Sequence, residues 1–286
     1  MMFGVVYQTA FYGTDPDAMV AYAKHAEDCG FESIYMPEHI AISPGATLGM
    51  APIDPALPFV DPLVGLAFIA AATNRILLGT GVLQLPYHHP VALAKRLATI
   101  DVLSRGRMRL LTVGLGSLQG EADAAGVDFE TRGRRADEAI DVLRLLWAGD
   151  ESGVSFDGEF FSFANISSYP KPHDSRTLPI HVGGSTRAAA RRAGLRGDGY
   201  FPGGAIGREE RADQIELMRA TAREAGRDAA LLECTRWGTI DMSSEYVSAQ
   251  AANGTTRLVV GPVSVDPHEQ REELSAFAER HGLCGT

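Results

Sequence analysis

Stretches that read as strand and stretches that read as helix alternate along the whole chain, and this limits the fold more than any single motif. Phe3 to Tyr7 is a buried apolar run, followed by Asp15 as N-cap and Pro16 as first helical residue. Met19, Ala23 and Ala26 then recur at helical spacing, and Gly30 supplies the stop. Ser33 to Met36 reads as a strand. A Pro- and Gly-rich loop from Ser43 to Pro62 comes next, then a short apolar helix to about Thr73. Ile76 to Leu85 has the clearest strand pattern, and Pro90 opens a helix with Leu93, Leu97 and Ile100 on one face. Further strands are expected over Met108–Val113, Leu178–Val182, Asp198–Phe201, Thr235–Met242 and Thr256–Val260. Between and after them lie helices over Arg134–Trp147, Thr186–Leu195, Arg208–Ala225, Ser244–Ala252 and Pro267–His281.

Eight such units share 286 residues, roughly 36 apiece. Strict β/α alternation requires a parallel sheet covered by helices. Eight units in about 250 residues fit a closed α/β cylinder, the (β/α)8 or TIM barrel. A doubly wound open sheet is the structural alternative. Glu151 to Pro179 is too long for a strand-to-helix loop, and Val154–Phe156 and Phe160–Phe163 around Gly158 read as a small inserted hairpin. No change of composition marks a second domain, so residues 1–286 are expected to form one barrel domain.

Composition removes several classes of function. With 45% hydrophobic and 22% charged residues the chain can bury a large core. Its net charge of −10 and lack of a Lys/Arg stripe argue against a nucleic-acid partner. Cys29, Cys234 and Cys284 form no CxxC pair, so neither a disulfide framework nor a zinc site is expected. The most apolar stretch, Leu63 to Ala72, is too short for a bilayer, which takes about 20 residues. No secretory pattern opens the chain, so a reduced cytoplasm is the expected location and the sequons at Asn165 and Asn253 are set aside.

In a barrel of this kind the active site lies at the C-terminal ends of the strands. That rule selects Gln8 and Thr9, then Glu38 and His39, Gln84, the run Gly114-Leu115-Gly116-Ser117, the run Gly183-Gly184-Ser185-Thr186, and Gly203-Gly204. His39 is the leading proton-exchange candidate, because imidazole titrates nearest neutrality; the plainer reading is a histidine that bonds a loop. Glu38 beside it points elsewhere and can serve a neighbouring backbone N–H. The 183–186 run sits where a strand gives way to a helix, which presents free N–H groups to an anion. The plainer reading there is a tight turn with an ordinary N-cap. Gly114, Gly116 and Gly120 miss the dinucleotide fingerprint, since the third glycine is one position too far. His88 and His89 are adjacent, face different ways and lack a carboxylate cluster, so they read as loop residues rather than metal ligands. Asp198 reads as a turn carboxylate, and Trp147 and Trp237 as core or pocket wall.

The motifs together resemble the luciferase-like monooxygenase superfamily of (β/α)8 proteins, and within it enzymes that use the deazaflavin coenzyme F420. The matching pieces run to about Phe201. They include Ala26–Ser33, Thr73–Val82, Pro90–Lys95, Leu97–Asp101, Ser104–Arg109, Tyr169–Pro172, Pro179–Gly184 and Gly197–Tyr200. Each is weak alone; their order and spacing are specific. The resemblance implies a flavin-like ring across the strand ends, backed by a non-proline cis peptide that corresponds here to Gly81–Val82. It implies that Gln84 meets the ring edge, that Gly114, Gly116 and Ser117 lie over it, and that Gly183, Gly184, Ser185 and Thr186 hold the cofactor phosphate. His39 matches the histidine that assists proton movement during hydride transfer.

Two departures bear on substrate. Ser117 stands where many relatives carry tryptophan, and Glu121 lies near a family glutamate but out of register, so that role is not transferred. The basic residues expected around a sugar phosphate are not evident. The expected activity is hydride transfer between reduced F420 and a small hydrophobic organic substrate, under the apolar 43–62 loop with Met50, Ile53, Leu57 and Phe59. An FMN-dependent monooxygenase and a non-catalytic deazaflavin carrier are the alternatives, and the family habit is a homodimer.

Overall fold

The structure is a computed structural model that describes residues 1–203 and 206–283. Gly204 and Cys284, both singled out above, fall outside the described residues. Eight parallel strands close into a barrel: β1 Met2–Val6, β2 Ser33–Met36, β3 Leu77–Gln84, β4 Met108–Gly114, β5 Ile180–Gly183, β6 Gly199–Phe201, β7 Glu233–Trp237 and β8 Arg257–Val260. Chain neighbours are barrel neighbours, and β8 returns to β1 through pairs from Met2/Arg257 to Val5/Val260. That closure excludes the open sheet. The covering helices are α1 Pro16–Asp28, α2 Pro62–Ala72, α3 Pro90–Leu103, α4 Arg132–Ala148, α5 Arg187–Arg196, α6 Arg208–Glu224, α7 Ser244–Ala252 and α8 Pro267–His281.

Local chemistry explains these boundaries. Asp15, Asp61 and Asp266 each accept N–H bonds from the first turn of α1, α2 and α8, with proline at the first helical position. Along each strand, alternate residues face the helices or the barrel interior. Ile34, Met36 and Leu78 pack outward against helices, while Val6, Tyr35, Leu110, Phe201 and Val259 fill the inside. Gly79 on β3 makes room for Tyr35, whose ring lies 2.8 Å from where a Cβ would stand. At the N-terminal end of the barrel the buried Arg257 guanidinium pairs with Glu32 and Glu233.

The inserted hairpin pairs Val154–Asp157 with Ser162–Ile166 as expected. One strand differs: β7 ends at Trp237, not Met242. Ile240 and Met242 are apolar because the loop folds down onto the barrel wall and α8, where Arg280 and His281 donate to their carbonyl oxygens. Two short helices, Thr9–Tyr12 and Gln119–Ala124, and a small hairpin pairing Thr47–Leu48 with Ala51–Pro52 had no clear sequence signal.

The entry to β3 is tied down from two sides. The Glu27 carboxylate accepts backbone N–H bonds from Asn74, Arg75 and Ile76. Arg107 donates to the carbonyls of Ala70, Thr73 and Ile76. Burial raises the Glu27 pKa, but the N–H groups of Ile76, Arg75 and Asn74 outweigh it and hold the carboxyl below its ordinary 4.5. A carboxyl lowered on folding stabilises above its unfolded pKa and loses that contribution as pH falls through the folded value. Glu27→Gln, which removes the charge and turns its NH2 toward the Asn74 N–H while the amide oxygen keeps the Arg75 and Ile76 donors, is expected to cost about 1–3 kcal/mol at pH 7. In urea denaturation the gap from the parent chain should narrow below pH 4.5; a gap that is constant with pH would refute the assignment.

Candidate active site

A cavity of about 390 Å³ opens at the C-terminal ends of the strands. His39, Gly81, Val82, Gln84, Gly114, Gly116, Ser117, Gly183, Gly184, Ser185 and Thr186 all line it, whereas Gln8, Thr9 and Gly203, also selected at strand ends, do not. Glu38, Leu115 and Arg132 join them.

The floor is built around Val82. The Gly81–Val82 peptide is cis. Pairing between β3 and β4 jumps from Gly81/Thr112 to Leu83/Val113, which leaves Val82 as an extra, bulged residue. Its side chain fills the space a Cβ would need at Gly114, 2.5 Å from Cγ2, and at Gly183, 2.6 Å from Cγ1. These two glycines therefore make room for a valine, not for direct approach of a ligand. Trp237 supports Gly81 from within the barrel, 3.4 Å from a Cβ built there.

One wall is a hydrogen-bonded cluster. His39 Nδ1 lies 3.1 Å from Glu121 Oε2. Glu121 Oε1 also accepts from the backbone N–H of Ile40 at 2.5 Å, and from Gln84 Nε2 at 3.2 Å. Burial works against ionisation of Glu121, but the bonds from His39 and Ile40 prevail and its pKa is lowered. Glu38 accepts from the backbone N–H of Gln84 at 2.6 Å and bonds His88 Nε2 at 2.9 Å. The backbone role foreseen for Glu38 is therefore present, with a histidine added. Gln84 Nε2 also donates to the Glu38 carbonyl at 2.8 Å. The amide is thus oriented from one side, and its Oε1 is buried without a partner. Phe59 meets His39 edge-on at 4.9 Å between centroids.

The opposite wall is the start of α5. Thr186 is its N-cap and accepts from the Ala189 N–H, so the ordinary capping role is real. Gly184 has φ +124, a conformation suited to glycine, and Ser185 lies between them on the cavity wall. Arg132 stands over the Phe129 ring at 3.4 Å and donates through Nε to the Gly116 carbonyl.

Some expectations need correction. Glu121, set aside as out of register, is the residue that touches His39, because the short helix Gln119–Ala124 carries it back toward β2. Its only sequence signal was an acid seven residues beyond a strand end. Arg132 was missed because nothing in its surroundings distinguishes it among the neighbouring arginines. Met50 is 99% exposed, so the tip of the 43–62 loop does not cover the cavity; Phe59 does the approaching. Thr9 accepts from the Val60 N–H and anchors that loop rather than lining the cavity. Among the described residues no three His, Cys, Asp or Glu are grouped to hold a metal ion, and no helix is long and apolar enough to cross a membrane.

A closed parallel barrel with its cavity at the strand ends defines the class: a (β/α)8 protein with a cavity among its βα loops. The description of the luciferase-like monooxygenase family matches residues 1–276, and the chain belongs to that family. It is 33% identical to an F420-dependent glucose-6-phosphate dehydrogenase of Beutenbergia cavernae, over 80% of this chain and 71% of that protein. It is also 33% identical to an uncharacterised protein of Mycobacterium tuberculosis, over 98% of this chain and 97% of the other. Among solved structures, an F420-dependent secondary alcohol dehydrogenase in complex with an F420–acetone adduct superposes with TM-score 0.77 at 19% identity, covering 99% of this chain and 98% of that one. Monooxygenase RslO1 from Streptomyces bottropensis gives TM-score 0.76 at 21% identity, covering 98% of each chain. These two likenesses establish the shared fold.

Proposed function

We propose that the protein is an oxidoreductase that binds coenzyme F420 in this cavity and exchanges hydride between it and a small, uncharged, largely apolar organic substrate. The observation that carries the reading is the buried, unpartnered Gln84 Oε1 beside a floor made of glycines and the bulged Val82. A flat heterocycle with an N–H edge satisfies that acceptor and lies against such a floor. The dehydrogenase relative supports the choice of cofactor.

Bound there, the deazaflavin supplies a ring carbon that takes up or returns a hydride, and the protein supplies alignment and proton management. Val82 and Gly81 would back the ring, with Gly114 and Gly116 beside it. The backbone N–H groups at Gly184, Ser185 and the start of α5 would hold the phosphate, aided by the helix dipole. His39 would hold or move the substrate proton at Nε2, the nitrogen that Glu121 does not engage. Ser117 lends a hydroxyl at the rim. Among the described residues Arg132 is the only Lys or Arg on the cavity wall, and it shares that wall with Ser117 and the 184–186 segment. A phosphorylated sugar would find no lysine there, which favours an uncharged substrate.

The test is a titration of the purified protein with F420, FMN and NADPH, with oxygen consumption followed in parallel. F420 should bind at least about tenfold more tightly than FMN, a difference of about 1.4 kcal/mol, and no oxygen should be used. Tighter FMN binding with oxygen uptake would replace this reading with that of a flavin monooxygenase. Tight F420 binding without turnover of any alcohol or carbonyl substrate would leave a carrier.

A further inference from the structure

We propose that Glu121 is a positioning residue: it fixes His39 as the Nδ1–H tautomer and fixes the amide of Gln84, so that both present bare acceptors to the cavity. What surrounds the Glu121 carboxylate decides this. Its side chain is fully buried, and an ionised carboxylate can only accept. Every polar neighbour must therefore be a donor. The Ile40 and Ala41 N–H groups meet that requirement unconditionally. Gln84 meets it by turning its NH2 toward Glu121 and the Glu38 carbonyl. His39 meets it at 3.1 Å only with its proton on Nδ1.

The consequences fall on the ligand side. A neutral imidazole protonated at Nδ1 carries its lone pair on Nε2, and a Gln84 amide turned this way leaves Oε1, buried at the cavity lining, without a partner. Gln84 Nε2 also lies 3.4 Å from His39 Nδ1, but as a second donor it cannot pair with a protonated Nδ1. The shorter contact with Glu121 decides. The cavity is thus set to receive two donors: an O–H at His39 and an N–H at Gln84. Its part in turnover rests on the hydride-transfer reading above; the tautomer itself does not.

The tautomer can be read in the protein without cofactor, by long-range ¹H–¹⁵N correlation of the imidazoles at a pH about two above histidine's ordinary 6.5. His39→Ala assigns the signal among the 8 histidines. Wild type should show His39 protonated at Nδ1. In Glu121→Gln the Ile40 and Ala41 N–H groups and Gln84 Nε2 claim the amide oxygen, which leaves the new NH2 against the ring; this reverses the requirement, and His39 should shift to Nε2–H. Glu121→Asp keeps an acceptor-only group and should retain the Nδ1–H signal, which also covers the case of a Gln variant that does not fold. With F420 and a turnover substrate, Glu121→Gln should lower kcat on the order of 10²-fold or more, as tautomer loss does elsewhere, with partial recovery in the Asp variant. A wild-type ring protonated at Nε2, or one tautomer shared by wild type and Glu121→Gln, overturns the proposal. If F420 does not bind, the functional reading falls while the tautomer result still decides this one.

Discussion

Replacing His39 by alanine is expected to lower kcat by about 10²–10⁴, the usual contribution of one proton-transferring side chain, while cofactor Kd changes less than about threefold. The separation of the two effects follows from the wall's construction. Removing the imidazole takes away one of the donors to Glu121, yet the Ile40 and Ala41 N–H groups and Gln84 Nε2 remain. Oε1 keeps its three donors and only Oε2, which faced the ring, is left bare; the Gln84 amide stays turned, and the floor of Val82 and its glycines is untouched. Stopped-flow or absorbance assays of F420 reduction and oxidation measure the first effect, and fluorescence titration the second. An unchanged kcat would remove His39 from the chemistry. A large loss of affinity with kcat intact would make it a binding residue.

How much of this could be read beforehand depended on whether the cause was local. Barrel strands and helices announce themselves through periodicity, N-caps and stop glycines, all confined to a few neighbouring residues, and their boundaries were found within about two residues, except β7. Thr235–Met242 misled because Ile240 and Met242 are buried by a loop that folds back, and apolar spacing does not say which surface does the burying. The strand-end rule gathered residues from β2, β3, β4 and β5 into one cavity without knowledge of any contact. What it could not supply was pairing. Glu121 is 82 positions from His39, and the glycines at 114 and 183 are matched to a valine on another strand. Such relations are set by the closure of the barrel, and a single sequence carries them only once the closure is known.

Gly116→Val is expected to weaken cofactor binding at least about 10²-fold, roughly 2.7 kcal/mol, with little loss of global fold. Two independent costs meet at this position. Gly116 has φ +76, which a β-branched residue adopts only at a cost of about 1–3 kcal/mol. A Cβ there would stand 2.1 Å from the Tyr87 hydroxyl and 2.6 Å from Gln84 Oε1. Neither neighbour can withdraw freely, since Gln84 is bonded to Glu38 and Glu121 and the Tyr87 hydroxyl is buried. Burial and the nearby Glu121 charge push the Tyr87 phenol up to about 12, so it stays neutral near pH 7. Gly116→Ala alone and with Tyr87→Phe separates the two costs. Removing the hydroxyl should restore part of the affinity lost by the alanine, because the nearest obstructing atom is gone; the remainder is the backbone cost, the Tyr87 ring Cζ at 2.6 Å and displacement of Gln84 Oε1. If Gly116→Ala binds F420 as tightly as the parent chain while Tyr87 is intact, then Gln84 Oε1 is not an atom the cofactor uses, and the ring lies elsewhere in the cavity.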